Sequence, residues 1–202
     1  MLLNEVRGRA FALRRVAEED AEFVLRLRRS RHAQGHLHPV PDDVGTQREW
    51  IRSHGARPDD HYFVVHALDT GRPEGLVGIH GIDLDARSGE WGRWILIPGS
   101  AAAPESVDLI LRFGFESLDL TELRSRTVAD NRRVLGFLES LGLGSGVTRP
   151  GAFDFDGRSV DAVEHRITRE AWESVRIALA PAVDAVAAAR TRRTRGRRHD
   201  RD

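Results

Sequence analysis

Glu90, in the run SGEWGRW, is the side chain best placed by its neighbours to do chemistry. Gly89 and Gly92 flank it and leave space. A partly desolvated carboxylate in such a place could take a proton from an amine, directly or through a water. It could equally be a solvated strand carboxylate paired with Arg87 or Arg93, and the residues alone weigh evenly between the two. His80, Asp83 and Asp85, one segment earlier, are rival proton acceptors. Downstream, Pro98–Ala103 reads PGSAAA, with only small side chains between a strand and a helix. Phosphate groups need close approach to several backbone N–H groups, and a helix N-terminus adds roughly half a positive charge. An ordinary alanine-rich loop would look the same. Asn131, in VADNRRV, opens a second helix directly after a strand, where its amide can cap the helix and also reach a ligand.

His32, His36 and His38 share one loop, Arg31–Gly45. Their spacing is a weak metal signal with no carboxylate motif to support it, so we expect no metal and take the loop as lining for a substrate. The chain has no cysteine, which excludes disulfides, thiol catalysis and Cys-ligated metals. It has no lysine either, which excludes Schiff-base chemistry. The formal net charge of +0 and the lack of aromatics in the Arg-rich end Thr191–Asp202 argue against a nucleic-acid partner. We read that end as solvated. The opening MLLNEVRGRAFALRRV is interrupted by charge, and no apolar run has the length of a membrane span. The expectation is a cytoplasmic protein with no membrane partner, as monomer or homodimer.

These residues must be positioned by elements, and the patterning supplies them. Strands are expected at Phe11–Val16, His61–Leu68, Gly75–Asp83, Gly89–Ile97 and Glu122–Ala129, with a hairpin inside Gly144–Thr168. Helices are expected at Glu18–Arg29 and at Thr46–His54, the latter with Thr46 as N-cap and Glu49 completing a capping box. Pro104–Leu118 carries Val107, Ile110, Leu111, Gly114 and Leu118 on one face. Asn131–Leu141 carries Val134, Phe137, Leu138 and Leu141. Two last helices, Arg169–Ala180 and Ala182–Arg193, should break at Pro181. Three antiparallel strands passing into a βαβ crossover give an α+β fold with a mixed, mostly antiparallel sheet and flanking helices. The domain is expected at 1–175, with 176–202 as an Ala-rich helix and a partly disordered Arg-rich tail.

The run EWGRWILIPGSAAAPESVDLILRFGFESLDLTELRSRTVADNRRVLGFLESLGL resembles the acyl-CoA-binding half of a GNAT-type N-acetyltransferase, and the likeness spans about Phe11–Trp172. It is most similar to the branch of amino-sugar N-acetyltransferases of pseudaminic-acid-type pathways and ribosomal-protein alanine acetyltransferases. The resemblance implies acetyl-CoA as co-substrate, held in a V-shaped gap between two splayed parallel strands. Backbone groups of Ile95, Leu96 and Ile97 would pair with the pantetheine arm. N–H groups of Ser100, Ala101, Ala102, Ala103 and Ser106 would hold the pyrophosphate, and Asn131 matches the family Asn. Glu90 would be the catalytic base, with His36, His38 and His80 lining the acceptor. The chain departs from the pattern twice. Ala and Ser stand where the pyrophosphate loop usually has Gly and Arg, and Leu138 stands where many members have a Tyr acid. The implied function is transfer of acetyl to a small primary amine such as a nucleotide-linked amino sugar. The alternatives are a protein N-terminus as acceptor, or a catalytically silent acyl-CoA-binding protein.

Overall fold

Eight strands form one sheet in the order β1-β2-β3-β4-β5-β6-β8-β7. The structure, a computed structural model, describes residues 5–30, 43–55 and 57–199, with side chains through 193. The strands are β1 (Glu5–Arg7), β2 (Phe11–Arg15), β3 (Asp60–Ala67), β4 (Pro73–Asp83), β5 (Ser88–Leu96), β6 (Glu122–Val128), β7 (Val147–Phe155) and β8 (Arg158–Thr168). Every neighbouring pair is antiparallel except β5 and β6. This is the expected mixed sheet, with β1 added; three residues are too few to show a period.

The helices are α1 (Ala21–Arg28), α2 (Val44–Gly55), α3 (Ala103–Arg112), α4 (Arg132–Leu138) and α5 (Arg169–His199). The sheet buries both faces. Phe11, Leu13, Phe63, Val65, Val77, Ile79, Trp91 and Leu123 pack against Leu109, Ile110 and Leu111 of α3, Leu138 of α4 and Trp172 and Leu179 of α5. On the opposite face Val64, Leu76 and Ile95 meet Val24, Leu27 and Ile51 of the first two helices. Each such side chain contributes about 1.5–3 kcal/mol when fully buried.

Local chemistry shifts several element ends. The expected Glu18–Arg29 helix begins as a 3-10 turn, Glu18–Asp20, before α1. Asp43, not Thr46, caps α2: the Thr46 N–H and Oγ1 donate to its carboxylate at 2.8 and 2.6 Å. α3 widens into a π turn at Phe113–Ser117, where Gly114 rests so close to Leu123 and Ile79 that a Cβ would clash. α4 likewise continues into a wide turn, Glu139–Leu143. The break expected at Pro181 is absent, and α5 runs unbroken through it and through 175/176. Pro181 and Ile177, whose carbonyl the proline leaves without an amide, both lie on the exposed side, where water can take the bond. Trp172, Val175, Leu179 and Val183 form the buried stripe of this helix.

Candidate active site

The parallel pairing of β5 with β6 lasts only three rungs, Ser88↔Glu122, Gly89↔Leu123 and Glu90↔Arg124. Beyond Glu90 the strands part, and a wedge opens between Trp91–Leu96 and Ser125–Val128. A bulge accompanies the parting. Leu76 pairs with Ile95 and Gly78 with Gly92, so β5 carries one residue more than β4 across this stretch. Arg93 takes up the extra length in the left-handed region at φ 50°. That conformation is costly for a non-glycine residue. A bidentate pair with Asp60, at 2.7 and 2.8 Å, and stacking over Trp50 and Tyr62 hold it there.

Glu90 lies at the last rung. Directly opposite on β4 is His80, with its Nε2 4.0 Å from Glu90 Oε1. From β6, Arg126 reaches Glu90 Oε2 with Nε at 3.0 Å and Nη2 at 2.8 Å. The sequence alone did not single out Arg126; its place two residues past the rung partner Arg124 is the one signal for it. Burial, and then the Arg93 charge, hold the His80 imidazole below its ordinary range, so it is neutral at pH 7. Room beside Glu90 comes from one glycine of the two. Gly92 faces open space next to His80, whereas Gly89 is packed against Ile79, Ile82 and Leu120.

The loop at the wide end is braced internally. The Ile97 N–H donates to Glu74 O at 2.8 Å and its carbonyl accepts from the Ser100 N–H at 3.2 Å. Ser100 Oγ donates to Glu74 Oε2 at 2.7 Å and accepts from the Ala102 N–H at 3.1 Å. The Ser106 N–H donates to Ala102 O at 2.8 Å, and Ser106 Oγ accepts from Trp94 Nε1 at 3.0 Å. The amides of Ile97, Ser100, Ala102 and Ser106 thus have partners inside the fold in this structure. Ala101 and Ala103 are the remaining alanines at the helix start, and Ala103 occupies the first turn, where N–H groups have no helical partner. Glu105, also in that turn, is directed away: its carboxylate accepts from the Ala10 N–H at 3.1 Å and from that of Arg9. Glu74 is in turn held by Arg190 of α5, whose Nη2 donates to Glu74 Oε1 at 2.9 Å and to Asp69 Oδ1 at 2.8 Å.

Asn131 caps α4, its Oδ1 accepting from the Val134 N–H at 3.4 Å. Leu138 is fully buried in the core. The sole tyrosine, Tyr62, lies on the opposite sheet face against Trp50, and burial pushes its hydroxyl up, so it stays protonated. His36 and His38 lie outside the described residues. Among the described residues no cluster of three or more His, Asp or Glu could hold a metal, and no helix is long and apolar enough to cross a membrane.

The fold has counterparts among known proteins. Residues 11–144 match the acetyltransferase (GNAT) domain family. The chain belongs to the GNAT family. No curated protein matches it. Solved GNAT structures share its fold. A structure described as apo FdhC, a nucleotide-linked sugar GNAT, is 24% identical with a TM-score of 0.71, over 89% of this chain and 98% of that one. The spermidine/spermine N-acetyltransferase SpeG from Vibrio cholerae is 20% identical with a TM-score of 0.71, over 82% and 98%. A GCN5-related N-acetyltransferase from Brucella melitensis is 16% identical with a TM-score of 0.74, over 89% and 85%.

Proposed function

We propose that this GNAT protein transfers an acetyl group from acetyl-CoA to a primary amine on a small, anionic acceptor, of which a nucleotide-linked amino sugar is the type case. The observation that carries the reading is the wedge beyond Glu90 and Arg124, with the N-terminus of α3 at its open end. The pantetheine arm lies along Ile95 and Leu96, and the pyrophosphate meets the amides of Ala101 and Ala103 and the positive end of the helix dipole. Asn131 offers its NH₂ group from the N-terminus of α4.

The amine attacks the thioester carbonyl directly, so orientation in a ternary complex supplies much of the rate. Its proton passes to Glu90, with neutral His80 beside it as the second acceptor. Backbone N–H groups of β5 polarise the carbonyl as it gains charge. The acceptor's charge is argued from Arg126. This guanidinium pairs with Glu90, while Arg124 and Arg166 share Glu122 and Arg149 pairs with Glu164, so these four arginines face three glutamates and leave one net positive charge, which favours an anion over a polycation such as spermidine. An acetyl-CoA-dependent reaction of this kind fits a cytoplasmic setting, which is part of this proposal.

A second reading, a silent acyl-CoA-binding protein, is favoured by Leu138 in place of an acid. Thiol release from acetyl-CoA, measured with nucleotide-linked amino sugars, spermidine and a peptide amine in parallel, decides between them. The proposal expects release with the sugar nucleotides above the other two. Binding of acetyl-CoA without release for any amine would favour the silent reading, and release with spermidine alone would overturn the anionic acceptor.

A further inference from the structure

Three buried polar atoms on strands that flank the start of the wedge have no hydrogen-bond partner: Trp91 Nε1, Ser125 Oγ and His165 Nδ1. Their positions follow from the register. Trp91 and Ser125 are the first residues past the last β5–β6 rung, Glu90↔Arg124. Side chains alternate along strands, so Ser125 shares a face with Leu123, whose partner in the core is the Trp91 side of the sheet. His165 sits directly opposite Ser125 across the β6–β8 pairing. The three side chains are 2%, 4% and 1% exposed. The other imidazole nitrogen of His165, Nε2, lies 3.2 Å from Gly144 O. That contact assigns the proton to Nε2 in the neutral ring and leaves a lone pair on Nδ1. The three thus supply two donors, the Trp91 N–H and the Ser125 O–H, and a lone pair.

Unpaired polar atoms in a core cost roughly 1–3 kcal/mol each. Three on neighbouring strands, on the face of the sheet opposite Glu90 and His80, offer unspent hydrogen-bonding capacity to a ligand group at the start of the wedge. We infer that Ser125 and Trp91 hold the thioester sulfur of the acyl donor and stabilise the leaving thiolate, the task for which Leu138 has no donor. This rests on the acetyltransferase reading above. The balance of the step is simple. The amine nitrogen bonds to the carbonyl carbon and its proton goes to Glu90. The C–S bond breaks with both electrons on sulfur. The Ser125 hydroxyl and the Trp91 indole donate hydrogen bonds to that sulfur, and neither proton is transferred, because a serine alkoxide is a stronger base than a thiolate. Solvent protonates the thiolate on release. Hydrogen bonds to a developing charge are stronger in a buried site than in water.

Ser125→Ala tests this, with kcat, acetyl-CoA affinity by calorimetry and melting temperature all measured on the full chain. The inference expects kcat to fall roughly 10- to 100-fold, the worth of one hydrogen bond to a charged group. Affinity falls far less than kcat, because a neutral thioester sulfur is a weak acceptor and the contact strengthens only as the thiolate forms, and the melting temperature holds or rises because an orphaned hydroxyl has left the core. The defect shrinks with an acyl donor whose thiol is more acidic, and Ser125→Thr recovers part of the rate. Trp91→Phe, which keeps the ring, shows the same pattern if the indole donates. Unchanged kcat in Ser125→Ala, with an active wild type, overturns this inference alone. A rate loss matched by a fall in melting temperature overturns it too, by showing a structural role such as a bridged water. A wild type that neither binds acetyl-CoA nor releases thiol overturns the acetyltransferase reading and this inference with it.

Discussion

Glu90 answers to two neighbours, pairing with Arg126 on one side and facing His80 on the other. If it takes the amine proton, Glu90→Gln keeps its shape and lowers kcat by roughly 10²–10⁴-fold. Acetyl-CoA affinity stays constant, since the loop at α3 is untouched, and higher pH restores part of the rate by supplying free amine. Undiminished turnover in this variant at neutral pH would remove Glu90 from the mechanism and promote His80. The His80 protonation state gives a second expectation. Burial and the Arg93 charge depress its pKa in the fold below 6.5. Between that lowered value and about 6.5 the unfolded chain binds the proton more readily, so folding stability falls as pH drops through this window. Chemical denaturation of wild type and His80→Asn across pH 5–7 checks the sign: the wild type loses more stability on acidification. The acid limb of kcat/KM, if it reports neutral His80, likewise lies below 6.5 rather than at or above it.

At the scale of elements, the site depends on a bulge, a braced loop and a helix from the far end of the chain. Most strands and helices were legible in the sequence, because period-2 and period-3.6 patterns survive in single segments. The bulge was not. Nothing local announces Arg93 as the extra residue, and its support comes from Asp60, 33 positions away. The same holds for the loop: its small residues marked it, but which amides it spends internally depends on Glu74 and Ser100, on separate elements. Glu90 and Asn131 can be picked out as candidates from their own short runs, whereas the register that brings Trp91, Ser125 and His165 to one face of three strands cannot. The loop's brace yields a prediction. Glu74 places a carboxylate beneath a loop proposed to hold a pyrophosphate, and Arg190 neutralises it. Arg190→Ala should weaken acetyl-CoA binding by about tenfold, measured by calorimetry, and adding Glu74→Gln should restore it. No recovery in the double variant would show that Arg190 acts by packing over Phe11 instead.

At the scale of the molecule, α5 ties the chain's end to its beginning and to the site. Val183 packs in the main core and Arg190 reaches Asp69 and Glu74, while Thr191, Arg192 and Arg193 are exposed. Removing Thr191–Asp202 should therefore leave the melting temperature close to that of the full chain. Removing Pro181–Asp202 should lower it clearly, through the loss of Val183, Val186 and Ala187 from the core, and equal melting of the two truncations would show that this end of α5 is not docked. The most direct test of the whole account is a calorimetric titration of acetyl-CoA into the wild type and Ala103→Asp. An aspartate in the first turn of α3 suits the helix dipole, so the fold should hold, while its charge opposes a phosphate at that spot. The account predicts saturable one-to-one binding by the wild type and a loss of roughly tenfold or more in the variant. No binding by the wild type, or equal affinity in both, would contradict it.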